Sequence, residues 1–159
     1  MGTLRLSSKF RDLLLDPMSG KSWGEIIQNG VVYCYSGGLP AGADLIETGT
    51  LLAKITKDGL AFNFGTTTNG LAFLAASGQS IAKDSGVTWK GTGLANGEIG
   101  WGRWHENDGA VGASTDKARM DFDIALSGAV FNMGDTTVTL GAPVFMTTGQ
   151  ISLPELFTF

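Results

Sequence analysis

The sequence predicts an all-β fold, an antiparallel β-sandwich of jelly-roll type with a short N-terminal helical appendage. Three observations predict it. Glycine occupies 24 of 159 positions without a triplet period, so the chain turns often. Runs rich in β-branched and aromatic residues recur at spacings of about 8–12 residues, with Asn-Gly and Asp-Gly pairs among the turns between them. No 3.6-residue apolar period separates these runs, so the crossover helices of a parallel sheet are missing. The chain divides accordingly into a helical arm, residues 1–30, and a sandwich domain, residues 31–159.

Within the arm, Ser7 or Ser8 caps a helix through Lys9 to Leu15, and Pro17 forbids its continuation. Ser22 and Glu25 have the spacing of a capping box, Ile26 and Ile27 give the second helix an apolar side, and Asn29-Gly30 supplies a left-handed stop. Both helices are too short to stand alone in water and must lie on the rest of the chain.

From Val31 onward the chain reads as strands. Val31 to Tyr35 ends at Ser36-Gly37-Gly38, and a polar loop around Pro40 to Asp44 leads to Thr50–Lys57. Asp58-Gly59 predicts a hairpin that returns as Leu60 to Phe64. Asn69-Gly70 introduces Leu71 to Ala75, and shorter strands follow around Ile81 and at Val87 to Lys90. Asn96-Gly97 turns into Glu98 to Glu106. Met120, Phe122, Ile124 and Leu126 alternate with Arg119, Asp121, Asp123 and Ala125, which predicts a strand with one apolar face and one wet, charged face. Asp135 to Leu140, Val144 to Met146 and a C-terminal strand complete the set, with Pro143 and Pro154 at strand ends or edges. No internal repeat suggests a propeller or solenoid.

Charge and composition exclude several functions. Eleven Lys and Arg stand against 15 Asp and Glu, with no basic run, so binding nucleic acid by neutralising phosphates is not expected. One Cys and one His exclude a disulfide framework, a zinc site of Cys pairs and any site needing two imidazoles from one chain. No apolar run approaches the ~20 residues of a membrane-spanning helix, and no membrane partner is expected. Met1 to Lys9 lacks the apolar core of a signal peptide, and Leu6 stands where a myristoylation pattern wants Ser or Thr. Folding in a cytosol-like compartment is the expectation.

Each motif that suggests chemistry has a plainer explanation. Ser19-Gly20-Lys21-Ser22 resembles a phosphate-binding loop, but Leu15 replaces its first glycine and a helix, not a strand, precedes it. Gly91-Thr92-Gly93 with Gly97 misses the dinucleotide spacing by one residue, opens no helix and reads as a turn. His105 beside Glu106 and Asp108 reads as a solvated rim, because no nucleophile or second ligand has a matching spacing. Asp121 and Asp123 share a face but fall short of the six to eight oxygens calcium takes. Cys34 reads as a buried, inert thiol between tyrosines. No catalytic, cofactor-binding or metal-ligating residue is assigned, and no cofactor is expected.

Aromatic side chains are the remaining candidates. Trp101 and Trp104 have opposite parity in one strand and face opposite sides. Burial suits Trp89 and Trp101, while Trp104 is a candidate for a partner surface or a seat under the N-terminal helices. Phe157 and Phe159 end the chain as a core edge or a docking element for a neighbouring subunit. With Phe10, Leu14 and Trp23 from the arm, and Trp104, they form the predicted set of interface residues.

At Gly30-Val31-Val32-Tyr33-Cys34-Tyr35-Ser36-Gly37, Pro40-Ala41-Gly42-Ala43-Asp44 and Glu47-Thr48-Gly49-Thr50-Leu51-Leu52-Ala53, the chain resembles small virion structural proteins of tailed bacteriophages. The likeness continues through Ala61-Phe62, Asn69-Gly70-Leu71-Ala72-Phe73 and Trp89-Lys90-Gly91-Thr92-Gly93. It implies a compact β-domain present in many copies and built onto a capsid or tail, and it carries no active-site motif. The expectation is a non-enzymatic capsid decoration, or cement, protein in the virion, assembled in the host cytoplasm. Its partners would be the major capsid protein or other virion proteins, with a homo-oligomer, possible as a trimer, at local symmetry axes. A tail, collar or head-completion component is the alternative. A carbohydrate- or receptor-binding module using Trp104, and a hydrolase centred on His105 with Glu106, are the competing classes.

Overall fold

The alternating residues predicted to line a core do so, but they line a closed barrel. The structure, a computed structural model, describes residues 2–152. Its elements in order are β1 (Leu4–Leu6), α1 (Ser8–Leu15), α2 (Trp23–Ile27), β2 (Val31–Ser36), β3 (Leu51–Lys57), β4 (Ser80–Ala82), β5 (Trp89–Thr92), β6 (Gly97–His105), β7 (Arg119–Ala125), β8 (Phe131–Met133), β9 (Thr137–Val138) and β10 (Pro143–Ser152). Strands make up 40% of the described residues against 9% helix, which keeps the all-β assignment.

The jelly-roll sandwich is overturned by the pairing. The strands β7-β8-β10-β5-β3-β2-β6 follow one another in hydrogen-bonded order, and β6 pairs back to β7, closing seven strands into a ring. The short strands β1, β4 and β9 attach to β7, β10 and β6. One contact in the ring, β7 with β8, is parallel, through Ile124 opposite Phe131 and Ala125 opposite Asn132. Closure removes the free edges that a sandwich leaves open. Local pattern could not reveal it, because inward and outward alternation is the same in both architectures.

Glycine lets the strands come this close. A Cβ at Gly91 would overlap the Lys54 carbonyl of the neighbouring β3. At Gly102, inside the barrel, it would lie 2.8 Å from a Phe122 ring carbon and 2.9 Å from the Ile124 methyl. Gly91 lacks a side chain because the neighbouring backbone occupies its place, and Gly102 because the barrel interior is already filled.

The interior is built from Val32 and Cys34 of β2, Ala53 and Ile55 of β3, Trp89, Trp104, Met120, Phe122, Ile124, Phe131 and Met146. Phe131 lies 4.1 Å from Phe122 and 6.0 Å from Trp89, centroid to centroid. The arm joins this core rather than standing apart, for Phe10, Ile26 and Ile27 are buried in the same cluster. Its helices form as predicted: the Ser7 hydroxyl accepts from the Phe10 amide, and Ser22 and Glu25 form the complete capping box. Asn29, at φ 61°, adopts the left-handed conformation after α2. The arm also carries β1, an unpredicted strand pairing Leu4 with Phe122.

Three expectations fail locally. Asp58 and Gly59 both have positive φ, yet residues 60–64 form no strand. β5 takes the place beside β3 instead, with Lys57 opposite Trp89, and Phe62 packs onto the outside of the barrel. Residues 71–75 contribute only isolated bridges, Leu71 to Gly30 and Phe73 to Lys83. Gly91 lies within β5 rather than in a turn.

Filling the barrel at Gly102 forces Phe122 and Ile124 out of place, and overpacking of this kind costs about 1–3 kcal/mol. Gly102→Val is expected to lower the melting temperature by about 2–4 °C for each kcal/mol, and more than Gly102→Ala, in a thermal melt followed by circular dichroism. An unchanged melting temperature for Gly102→Val contradicts the closed, filled interior.

Candidate functional site

The outside of β2, β6 and β7 carries what the sequence presented as a wet face, and it is buried. Tyr33 and Tyr35 of β2, Trp101, Arg103 and His105 of β6, and Arg119 and Asp121 of β7 are each at most 4% exposed. Three loops cover them: residues 37–50, 58–70 and 106–118. Tyr35 stacks on Trp101 at 4.7 Å, and the Tyr33 ring lies 4.5 Å from that of His105. Val31, Leu39, Leu51 and Phe62 complete this second apolar layer.

Charge at the centre of the layer is matched. Arg103 and Asp121 stand opposite each other in the register of β6 and β7. The Arg103 guanidinium donates from Nε to Asp121 Oδ1 at 2.6 Å and from Nη2 to Oδ2 at 2.8 Å. This is the two-pronged geometry that only arginine offers a carboxylate. Its Nη1 donates to Glu47 Oε1 and to the Leu45 carbonyl, both at 2.9 Å, reaching into the 37–50 loop. Glu47 Oε2 accepts from the Gly112 amide at 2.9 Å in the 106–118 loop. Arg119 donates to the carbonyls of Ala110, at 3.0 Å, and Gly112. Two guanidiniums and two carboxylates therefore fasten two loops to the sheet and to each other. Ser114 adds a further tie, its amide donating to the Asp44 carbonyl at 2.9 Å, while the Asp44 carboxylate accepts from Ser8 at the start of α1.

Burial sets the protonation of the neighbours. His105, desolvated and facing Arg119 and Arg103, has its pKa driven from the usual 6.5 to about 3 and stays neutral in the fold. Burial pushes the Cys34 thiol up to about 12, which suits an unreactive core group. Among the described residues, no group of three or more His, Cys, Asp or Glu is placed to hold a metal ion.

Above the charges, the loops expose apolar tips. Leu45 is 48%, Ile46 64%, Val111 63% and Phe64 59% exposed. Ile46 precedes Glu47 and Val111 precedes Gly112, so each tip is next to a residue of the bond that joins the two loops. Phe64 rests against Gly109 of the neighbouring loop. These tips are a candidate contact surface because they stand on braced loops; exposed apolar side chains as such, Met18 at 89% among them, occur elsewhere on the molecule.

The predicted interface residues lie elsewhere. Phe10 and Trp104 are both fully buried, their rings 6.2 Å apart, so Trp104 sits under the N-terminal helices and offers no flat platform to a sugar. Trp23 packs edge-on to Phe10 at 5.4 Å and, like Leu14, is partly buried against the core. Phe157 and Phe159 lie outside the described residues. Asp121 is engaged by Arg103, and Asp123 Oδ1 accepts from the Thr3 amide at 3.0 Å, so the two do not form a shared cation site. His105 does not reach the surface as a rim residue; it is 1% exposed.

Sequence reasoning missed Glu47 and the arginines. One signal was present: Tyr33, Tyr35 and Trp101 have the same parity as the charged residues, and three large aromatics on one face are at odds with a wet sheet. Compared with known proteins, the chain matches no protein-family model, no curated protein and no solved structure.

Two outcomes are expected. Arg103→Met leaves Asp121 and Glu47 buried without their partner and should cost about 3–5 kcal/mol in urea unfolding, with Asp121→Leu in the same chain restoring part of the loss. A cost below about 1 kcal/mol would falsify the buried pair. His105 has a folded pKa below its unfolded one, so the unfolded chain binds the proton first as pH falls. Stability is then lost between about pH 6.5 and 3, at up to about 1.4 kcal/mol per pH unit, and His105→Gln should flatten that part of the profile.

Proposed function

We propose that the protein is a non-enzymatic structural component of a tailed-phage particle, acting as a capsid decoration protein that docks through its braced loop face. The observation that carries this is the exposed apolar tips Leu45, Ile46 and Val111, on the two loops anchored to a buried ion network, with exposed Phe64 of the third loop resting against Gly109. Part of the phage resemblance lies in the same place, for Pro40–Asp44 and Glu47–Ala53 flank Leu45 and Ile46. Bracing matters because a loop already fixed loses little entropy on docking, so more of the apolar burial, about 25 cal/mol per Å², is realised as affinity. Copies arranged around a local symmetry axis of the shell would each contribute one such face, and many modest contacts would clamp neighbouring capsid subunits.

A tail, collar or head-completion component would use the same face at another place on the particle. Its location in a particle reconstruction separates the two positions. The glycan-binding alternative lacks its proposed platform, because Trp104 is buried beneath Phe10.

The test is binding of the purified chain to undecorated phage shells. Leu45→Ser, Ile46→Ser and Val111→Ser together should reduce bound copies at least about tenfold, while each exposed site changes stability by no more than about 0.5 kcal/mol. Full binding by the triple variant overturns the assignment of this face.

A further inference from the structure

β6 sends Trp101, Arg103 and His105 outward, and His105 is the last of them, where the strand ends and the 106–118 loop begins. The ring is buried against Tyr33, and among the described residues neither of its nitrogens has a hydrogen-bond partner. A neutral imidazole carries one donor and one acceptor, and both are orphaned here, which is rare in a packed layer. The charged groups around it come from every side: Arg103 of β6, Arg119 and Asp121 of β7, Glu47 of the 37–50 loop, and Glu106, Asp108 and Lys117 of the loop above. The acids are already engaged. Asp121 and Glu47 accept from Arg103, while Asp108 accepts from Lys117 Nζ at 2.5 Å and from the Ala110 amide at 3.0 Å. The Ala110 carbonyl beside the ring accepts from Arg119 Nη2 at 3.0 Å. A proton added to this ring therefore meets two guanidiniums and no free acceptor.

The bonds that hold the loop down are the ones this proton opposes. Arg119 grips the loop through the carbonyls of Ala110 and Gly112. An imidazolium beside it repels that guanidinium and competes for the Ala110 carbonyl. Two further ties, the Gly112 amide to Glu47 and the Ser114 amide to the Asp44 carbonyl, are both 2.9 Å hydrogen bonds at the loop surface. Gly109 and Gly112, at φ 56° and 89°, are two places where the backbone can absorb a swing. The barrel interior has no comparable group: among the described residues, Cys34 is the one titratable side chain in its buried cluster, and it stays neutral.

We propose that residues 106–118 are an acid-released cover: charging His105 in its seat lifts this loop from β2, β6 and β7 and bares Tyr33, Tyr35 and Trp101, while the seven-stranded ring stays closed. The direction follows from linkage. Covered, His105 takes a proton near pH 3; lifted, it does so near 6.5, so each pH unit of acidification between the two favours the lifted loop about tenfold. From pH 6.5 to 5.0 the effect is about thirtyfold. The inference concerns the cover alone and holds whatever the loop face docks against.

The test is amide hydrogen exchange on the full chain at pH 7.0 and 5.0, each rate divided by that of unstructured peptide at the same pH. Protection in residues 106–118 should fall by about 10–30-fold at pH 5.0, while β2, β3 and β6 keep theirs. His105→Gln, neutral at both values, should lose less than about threefold in that loop. Unchanged loop protection, an equal loss through the barrel strands, or an equal loss in His105→Gln each overturns the proposal. A second measurement needs no variant, because His105 is the one histidine in the chain and its ring protons give a single set of proton resonances. The ring should stay neutral well below pH 6.5 and become charged in step with the loss of loop protection. A ring that charges near pH 6.5 under a loop still protected contradicts the cover, as does a loop that opens while the ring stays neutral.

Discussion

The ion pair between Arg103 and Asp121 is the constraint on which the outer half of this protein depends. Two ions taken out of water cost several kcal/mol each, and the fold recovers that only because both prongs of the guanidinium meet the carboxylate at 2.6 and 2.8 Å. The remaining donor would be orphaned if the 37–50 loop were elsewhere, so Glu47 and the Leu45 carbonyl are drawn over it. Glu47 in turn holds the Gly112 amide, and Arg119 holds the carbonyls on either side of Val111. Satisfaction of buried polar groups thus dictates the path of two loops that have no regular structure of their own.

Closure of the barrel and burial of the charges support one another. β6 can carry this network because it pairs on one side with β2 and on the other with β7, which puts Arg103 between Tyr33 and Asp121. Alternation then sends Trp104 inward to Phe10 and sends Trp101, Arg103 and His105 outward under the loops. The strand has two dry faces, one apolar and one mixed. Beyond these faces the loop tips expose Leu45, Ile46, Phe64 and Val111 to solvent.

Much of the local structure was legible from sequence, and the reasons are physical. Helix caps at Ser7 and Ser22 depend on side chains reaching three residues ahead, so they read directly. The opposite facing of Trp101 and Trp104 follows from parity alone. Long-range closure did not read, since it depends on β6 meeting β7 and β7 meeting β8, pairings no local motif encodes. The wet face was misjudged for a related reason. Arg119, Asp121 and Asp123 look solvated unless Arg103 is known to lie opposite Asp121, and Glu47 finds its place only once the loop is folded. Asp58-Gly59 turned as expected, but which strand then lay beside β3 was decided by Trp89 in the core, not by the turn.

The most direct measurement of the central claim is the Arg103 side chain itself. In a nitrogen–proton correlation spectrum of the isotopically labelled chain, the Arg103 Nε proton, assigned by its loss in Arg103→Lys, should remain visible at pH 8 and exchange slowly with water. A signal broadened away by fast exchange, like that of an arginine on an open sheet face, would contradict a buried pair and with it the braced loops above.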